Sequence, residues 1–401
     1  MIMLLKANRY RARRTGMGVK NTIFGQMLQI ISRYDFEKAV KWYRSDKHSK
    51  GFSSWHQFVS LLFAQLSGQD GLRGVETGLA SCQKKLYHMG AGGAKRSTLS
   101  YANKHRNHKV FESVFYGVLK KTLGAAPGHK FRFKNDLYSF DATTIDLCLS
   151  LYDWAKFRKT KGGNKIHVKL NHRGYIPEFL TVTPAKRHEV KEMPKVPLKA
   201  GDVIVFDRAY MDLQQFATHC HEGVYFVTRL KSNACYHVVE RKDVSRYQNI
   251  SSDQIIEFKG FYSSKKCPLQ LRRIRVKDPE TGKYIVLLTN QMSWSPKTVA
   301  SVYKDRWQIE IFFKNLKQNL KIKSFLGTSK NAMMSQIWVA MIAYLLLSYM
   351  KFLSSFKWTI NKLMGVLPVI LFSRKDLWAW LNEPFDFRRK DVSQSLQLEL
   401  L

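Results

Sequence analysis

Acidic residues are scarce in this chain of 401 residues: 30 Asp and Glu stand against 67 Lys and Arg, a formal net charge of +37. That imbalance excludes a neutral or acidic working surface, because so much like charge repels itself unless a polyanion neutralises it. Nucleic acid is the commonest such partner, and an anionic membrane is its rival. Cysteine is equally sparse. Cys82, Cys148, Cys220, Cys235 and Cys267 are spread out with no C-x-x-C pair, which excludes a disulfide scaffold and fits a reducing cytoplasm. Long hydrophobic runs are missing too. The longest, Ile337 to Met350, falls short of the roughly 18–20 residues that cross a bilayer and reads as a buried helix. The opening MIMLLKANRYRARR places only a few apolar residues before its basic run, unlike a signal peptide. The expectation is a soluble, cytoplasmic, basic protein with no membrane partner.

What is present suffices for a large core. Hydrophobic residues make up 45% and aromatics 13%, so the disordered class is excluded. At roughly 150 residues per domain, the length allows two or three domains. The first 50 residues hold 12 Lys and Arg against 3 Asp and Glu. From Phe52 to Leu66, Trp55, Phe58, Val59, Leu62 and Leu66 recur at helical spacing, with Ser53 or Ser54 as cap and Ser67-Gly68 as stop. Leu72, Val75 and Leu79 suggest a shorter helix. Ser97 or Thr98 is placed to cap a helix carrying Lys104 and Arg106, and an apolar helix follows around Phe111, Val114, Phe115 and Leu119. GAAPG (Gly124–Gly128) reads as a linker.

The texture then turns to strands. Leu137 to Ile145 is a β-type run, and Ile166–Asn171 with Tyr175–Ala185 reads as a hairpin. Asp202–Asp207 and Val224–Leu230 are apolar enough for strands buried on both faces. Gln214 to Glu222 reads as a helix between them. Roughly seventy residues of short β signals follow, before a helical region that opens at Trp294-Ser295-Pro296 and is broken near Gly327.

Two strands end in acid: Asp141 follows LYSF and Asp207 follows VIVF. Strands of an open sheet deliver their last residues to the edge of the core, where a carboxylate meets solvent and metal. Either Asp alone is more simply read as a turn or cap residue. Tyr303, Arg306, Glu310 and Lys317 fall at i, i+3, i+7 and i+14, one polar stripe of a single helix whose Ile309, Phe312, Phe313 and Leu316 supply a separate apolar face. Two strand-end aspartates and a helix glutamate could hold two divalent metals about 3.5–4 Å apart, the arrangement that activates water and stabilises a departing 3′ oxygen. Hard oxygen ligands suit Mg²⁺.

With these residues in place, the sequence resembles a DDE transposase of the insertion-sequence-four type, a family of bacterial insertion sequences with an RNase H-like core. DATT at Asp141 and DRAYMD at Asp207 resemble its two aspartate motifs, and Y-x2-R-x3-E-x6-K, filled by Tyr303, Arg306, Glu310 and Lys317, matches its helix signature. TKGGNKIHVKL, RSTLSYANKHR and RWQIEIFFKNLKQNLKIKSFLGTS add to the likeness, which runs from about Phe24 to Tyr349. The separations of 66 and 103 residues between the three acids fit as well. The resemblance implies an α/β fold, an RNase H-like mixed sheet flanked by helices, with an N-terminal all-helical DNA-binding domain and a β-rich insertion. The expected division is 1–125 for DNA-end binding, 126–225 for the first part of the core, 226–295 for the insertion, 296–372 for the second part of the core and 373–401 for a tail.

The resemblance further implies Asp141, Asp207 and Glu310 as metal ligands for two Mg²⁺ ions, with Mn²⁺ a possible substitute. Tyr303, Arg306 and Lys317 would hold the transposon-end backbone. The expected function is cut-and-paste DNA transposition, through a hairpin intermediate, by a homodimer that synapses terminal inverted repeats and target DNA and is associated with the nucleoid. Ala209 stands where the family usually has Gly, and His188-Glu189 where a His-Asp pair is common; neither touches an assigned ligand.

Lys95, Arg96, Lys104 and Arg106 are the expected inverted-repeat contacts, and Arg9, Arg11, Arg13 and Arg14 with Tyr10 form an expected phosphate-binding arm. Trp294 is a candidate for a flipped-base pocket, though a tryptophan just before a helix more often packs. His219, Cys220, His221, Cys235 and His237 fit no zinc spacing. Asp136, Asp146, Asp153 and Asp212 read as structural. Two alternatives remain: a decayed or domesticated DNA-binding protein, which the intact acids argue against, and a general Mg²⁺-dependent nuclease on the same core.

Overall fold

A computed structural model describes residues 21–147, 162–320, 322 and 325–385. The arm residues Arg9, Tyr10, Arg11, Arg13 and Arg14, and also Cys148 and Asp153, lie outside them.

The described chain opens on seven helices: α1 (Ile23–Leu28), α2 (Arg33–Trp42), α3 (Ser54–Ser67), α4 (Leu72–Ser81), α5 (Gln83–Leu86), α6 (Arg96–His105) and α7 (Lys109–Ala125). α3 starts where the Ser53 hydroxyl accepts the His56 N–H and stops at Gly68 in the left-handed region, φ +70, a conformation that costs glycine little. Its Trp55, Phe58, Leu62 and Leu66 are buried, each contributing about 1.5–3 kcal/mol. α6 departs from expectation. Neither Ser97 nor Thr98 caps it; Lys95 holds the N-cap position without a side-chain bond, and the Arg96 N–H donates to Glu76 Oε1 at 3.1 Å. The cap comes from another helix. GAAPG is only partly a linker, since Gly124 and Ala125 complete α7.

Among the described residues, nine strands form one sheet in the order β3-β2-β1-β4-β5-β9-β8-β7-β6. They are β1 (Leu137–Leu147), β2 (Gly162–Asn171), β3 (Ile176–Pro184), β4 (Val203–Phe206), β5 (Tyr225–Arg229), β6 (Tyr236–Lys242), β7 (Ile250–Phe258), β8 (Leu271–Lys277) and β9 (Tyr284–Thr289). β1, β4 and β5 run parallel, and the remaining pairs are antiparallel. The segment β6–β9 continues the sheet through β9, which pairs with β5. Between β4 and β5 lies α8 (Leu213–His221), capped by Asp212, and a short α9 (Phe261–Lys266) follows β7.

Side-chain alternation sorts the central strands onto two faces. Phe140, Ile204, Phe206 and Phe226 pack with Phe216 of α8 on one. Leu137, Val203, Val205 and Val227 pack on the other with Val299 and Val302 of α10 (Pro296–Asp305). α11 (Gln308–Asn319) continues the chain, followed by α12 (Lys330–Leu353), α13 (Ile360–Ile370) and α14 (Leu377–Asn382). α12 contains the longest apolar run and is long and apolar enough to cross a membrane by composition, yet 89% of its apolar window is buried in the protein. It is the central post of a core shared with α1–α7, β1–β3 and α11.

The expected single helix Tyr303–Lys317 is two helices. Arg306, Trp307, Ile309 and Glu310 donate their N–H groups three residues back, to Tyr303, Lys304, Arg306 and Trp307. That tighter 3₁₀ turn separates α10 from α11 and re-aims the side chains at the joint.

Candidate active site

β1 and β4 bring the two aspartates together by register. Phe140 lies opposite Phe206 in the parallel pair, so Asp141 and Asp207, each one residue on, lie side by side and point to the same face. Asp207 follows the end of β4, whereas Asp141 is not at a strand end as expected but inside β1, which stays paired with β2 as far as Leu147. That face is the one covered by α10 and α11. Asp207 caps the short turn Arg208–Tyr210, accepting the Arg208 N–H at 2.6 Å, and Asp141 Oδ1 accepts the Ala142 N–H at 2.8 Å.

Arg306, at the α10–α11 joint, reaches two of the three acids, Asp141 and Glu310. Its Nη1 donates to Asp141 Oδ2 at 3.0 Å and its Nη2 to Glu310 Oε1 at 2.8 Å. The guanidinium side chain is 12% exposed, and among the described residues its Nε–H has no hydrogen-bond partner. Burial works against its charge, but Tyr303 and the Asp141 and Glu310 carboxylates outweigh it and hold its pKa above the ordinary value. Burial pushes the Asp141 carboxyl up to about 6, against the pull of the Ala142 N–H and Arg306 and with the help of Asp207 and Glu189. Tyr303 is raised by burial first and by Asp207 among its neighbours, against Arg306. Lys317 sits half-buried on α11.

Among the described residues, no group of three or more His, Cys, Asp and Glu side chains is close enough to hold a metal ion. The positive charge of Arg306 instead lies between Asp141 and Glu310, bonded to both. The donor chemistry nevertheless fits a hard divalent cation: carboxylate oxygens only, with Asp141 held above its usual range by burial and by like charge.

Glu189 escaped the sequence reading, which placed it away from the acids. It pairs with Lys165 at 2.8 Å and its charge acts on Asp141. Its one signal in the sequence is its place in His188-Glu189, where the resembled family commonly carries a His-Asp pair; the short helix Glu189–Lys195 meets this edge through tertiary folding. Trp294 stacks on Phe133, ring centroids 4.0 Å apart, as a packing residue. The His219 imidazole is buried, its pKa depressed to about 4.

The expected end contacts divide. Lys95, Arg96 and Lys104 are exposed on α6. Arg106 instead turns inward, donating to Ser49 Oγ at 2.8 Å and to the Phe52 carbonyl and lying 3.7 Å from Asp46; burial lowers its pKa. It ties α6 to the loop before α3.

A mixed sheet with two acids just past a parallel strand pairing, faced by an Arg–Glu turn on a strongly basic chain, fits a class: enzymes that cut and rejoin nucleic-acid backbones. Residues 132–346 match the family model of the transposase DDE domain, and the chain belongs to that family. It is a DDE transposase of an insertion sequence, a DNA-binding enzyme with nuclease and transesterification activity whose chemistry depends on divalent metal. Residues 19–92 match a separate domain of unknown function. A Sinorhizobium fredii protein named as a transposase is 32% identical over 289 residues, 71% of this chain and 80% of that one. A Geobacillus stearothermophilus protein, named for an insertion sequence element, is 30% identical over 60% of this chain and 66% of its own. One from Synechocystis is 25% identical over 72% and 81%. The piggyBac transposase synaptic complex with hairpin DNA has a TM-score of 0.41 at 12% identity, covering 88% of this chain and 79% of that one, too low a likeness to carry an argument.

Proposed function

We propose that Asp141, Asp207 and Glu310 are the catalytic carboxylates and together hold two Mg²⁺ ions, with Mn²⁺ able to substitute. The observation that supports this most is the shared edge: Asp141 and Asp207 one residue past the Phe140–Phe206 register pair, with Arg306 drawing Glu310 and Asp141 onto one guanidinium. Bound there, divalent ions would activate the attacking water and stabilise the departing 3′ oxygen. The chain's own residues do the rest. Arg306 must release the two carboxylates, and its unpartnered Nε–H and both Nη groups are then suited to a bidentate grip on phosphate. Tyr303 and Lys317 hold the transposon-end backbone beside it.

In this reading residues 1–125 bind transposon ends, Lys95, Arg96, Lys104 and the N-terminal Arg13 and Arg14 contact phosphates, and Arg106 supports the surface that presents them. Residues 126–225 and 296–372 form the catalytic core around the insertion 226–295; of the expected tail 373–401, the described residues do not trail, because α14 buries Leu377, Trp380 and Leu381 in the helical core. The protein acts in the cytoplasm at the nucleoid, without a membrane, as a homodimer on two inverted repeats and target DNA, cutting the second strand through a hairpin. The test is a cleavage and strand-transfer assay with inverted-repeat ends, Mg²⁺ and the Asp207→Asn protein. Cleavage and joining by the native chain, and neither by the variant, is the expected result; a variant that still cuts removes Asp207 from the site. Non-specific nicking with no joining would favour a general nuclease, and binding without cutting a domesticated binder.

A further inference from the structure

A buried polar chain runs beneath the acidic edge and has no part in the reading above. Ser139 Oγ lies 2.7 Å from His172 Nε2, and His172 Nδ1 lies 2.7 Å from Asp305 Oδ2. Lys130 Nζ donates to Asp305 Oδ1 at 2.5 Å, and the Tyr175 hydroxyl reaches both carboxylate oxygens at 3.3–3.4 Å. Ser139, His172 and Asp305 are all essentially inaccessible. The connectivity is that of a hydrolytic triad, but no substrate can reach the serine, so a nucleophilic role is excluded. Burial depresses the His172 pKa, and Lys130 supplies the charge that balances Asp305. The neutral ring therefore donates from Nδ1 to Asp305 and accepts the Ser139 hydroxyl at Nε2.

The ends of this chain matter more than its middle. Ser139 stands two residues before Asp141 on β1, and Asp305 is the last residue of α10, directly before Arg306. His172 and Tyr175 come from the β2–β3 hairpin, where Gly174 has φ +71 and Tyr175 itself φ +59. A tyrosine in the left-handed region costs of order 1–3 kcal/mol and persists only where its surroundings hold it; here its hydroxyl is on Asp305 and its carbonyl accepts the Tyr344 hydroxyl at 3.3 Å. Secured this way, three separate elements fix where the helix joint sits relative to β1 at Ser139 and Asp141.

We propose that Ser139, His172 and Asp305, braced by Lys130 and Tyr175, are positioning residues that lock the α10–α11 joint to β1, holding Glu310 and Arg306 in register with Asp141 for metal binding. The inference rests on the ligand assignment above, and its test separates the two. Mn²⁺ is titrated into the full-length protein and followed by calorimetry and electron paramagnetic resonance. His172→Ala should weaken Mn²⁺ binding about tenfold or more, as loss of partners behind the metal ligands does elsewhere, while native circular dichroism is retained. His172→Asn, whose amide keeps a donor near the Nδ1 position, should recover most of the affinity. Ser139→Ala, which deletes one hydroxyl, should weaken binding several-fold. A folded His172→Ala protein with native Mn²⁺ affinity overturns the proposal. If that variant does not fold, native affinity in Ser139→Ala overturns it instead. Asp207→Asn is the discriminating control. Should it bind Mn²⁺ as the native chain does, the ligand assignment falls and the brace with it; should it lose Mn²⁺ while His172→Ala keeps it, only the brace falls.

Discussion

Protons and metal should compete at Asp141. Its carboxyl, ordinarily at 3.8, is lifted to about 6 chiefly by burial, with Asp207 and Glu189 adding to the effect. A raised carboxyl pKa means that the folded chain holds the proton more tightly than the unfolded chain does. The stability linked to this group is therefore fully present below about pH 4 and lost as pH rises through about 6, about 3 kcal/mol in all. A metal ligand must be ionised, so below pH 6 each further unit of acidity should weaken metal binding about tenfold through this one carboxyl. The assay is Mn²⁺ titration of the full-length protein across the range from about pH 5 to 8. The expected curve is flat above about 7 and falls with a slope of one below 6, and in Asp141→Asn the weak residual binding loses that bend. Affinity unchanged down to pH 5, or a bend near pH 4, would refute the argument that a buried, like-charged carboxyl shapes the site.

Glu310→Gln should abolish cleavage of end DNA while end binding, read by gel shift, stays near native; retained cleavage would exclude Glu310. Lys104→Ala should lower the slope of log affinity against log salt by about one phosphate contact, measured by titrating end DNA at several salt concentrations. Arg106→Ala should leave that slope unchanged and instead destabilise the fold by about 1–3 kcal/mol, because the guanidinium's bonds to Ser49 and the Phe52 carbonyl and its ion pair with half-buried Asp46 are lost; denaturant unfolding separates the outcomes. Trp294→Ala should cost about 2–3 kcal/mol through its lost stack on Phe133 without changing DNA affinity.

Much of the fold was legible because its signals are local. The Ser53 cap and Gly68 stop bound α3, a β-type run located β1, a continuous apolar run located β4, and Asp207 was placed at a strand end; Asp141 was not, because β1 continues past it in its pairing with β2. What could not be read depends on distant partners. The α6 cap is a carboxylate from Glu76, so Ser97 and Thr98 offered a plausible but wrong start. Composition does not separate a cation that faces solvent from one that clasps a loop; only the loop at Ser49 and Phe52 shows that Arg106 turns inward while Lys104 stays in solvent. The 3₁₀ joint carries neither Pro nor Gly, and its register lets Arg306 contact Asp141 across the sheet, a contact of 165 residues' separation. Ser139, His172 and Asp305 converge over 33 and 133 residues and leave no motif.

The most direct test of the ligand assignment is anomalous scattering from Mn²⁺ in crystals of the full-length protein bound to its end DNA. The account predicts two Mn²⁺ peaks bounded by Asp141, Asp207 and Glu310, with carboxylate oxygens at about 2.1 Å and Arg306 turned from Asp141 toward a phosphate. Peaks ligated by other residues, or an Arg306 still bridging Asp141 and Glu310 in the loaded complex, would contradict it.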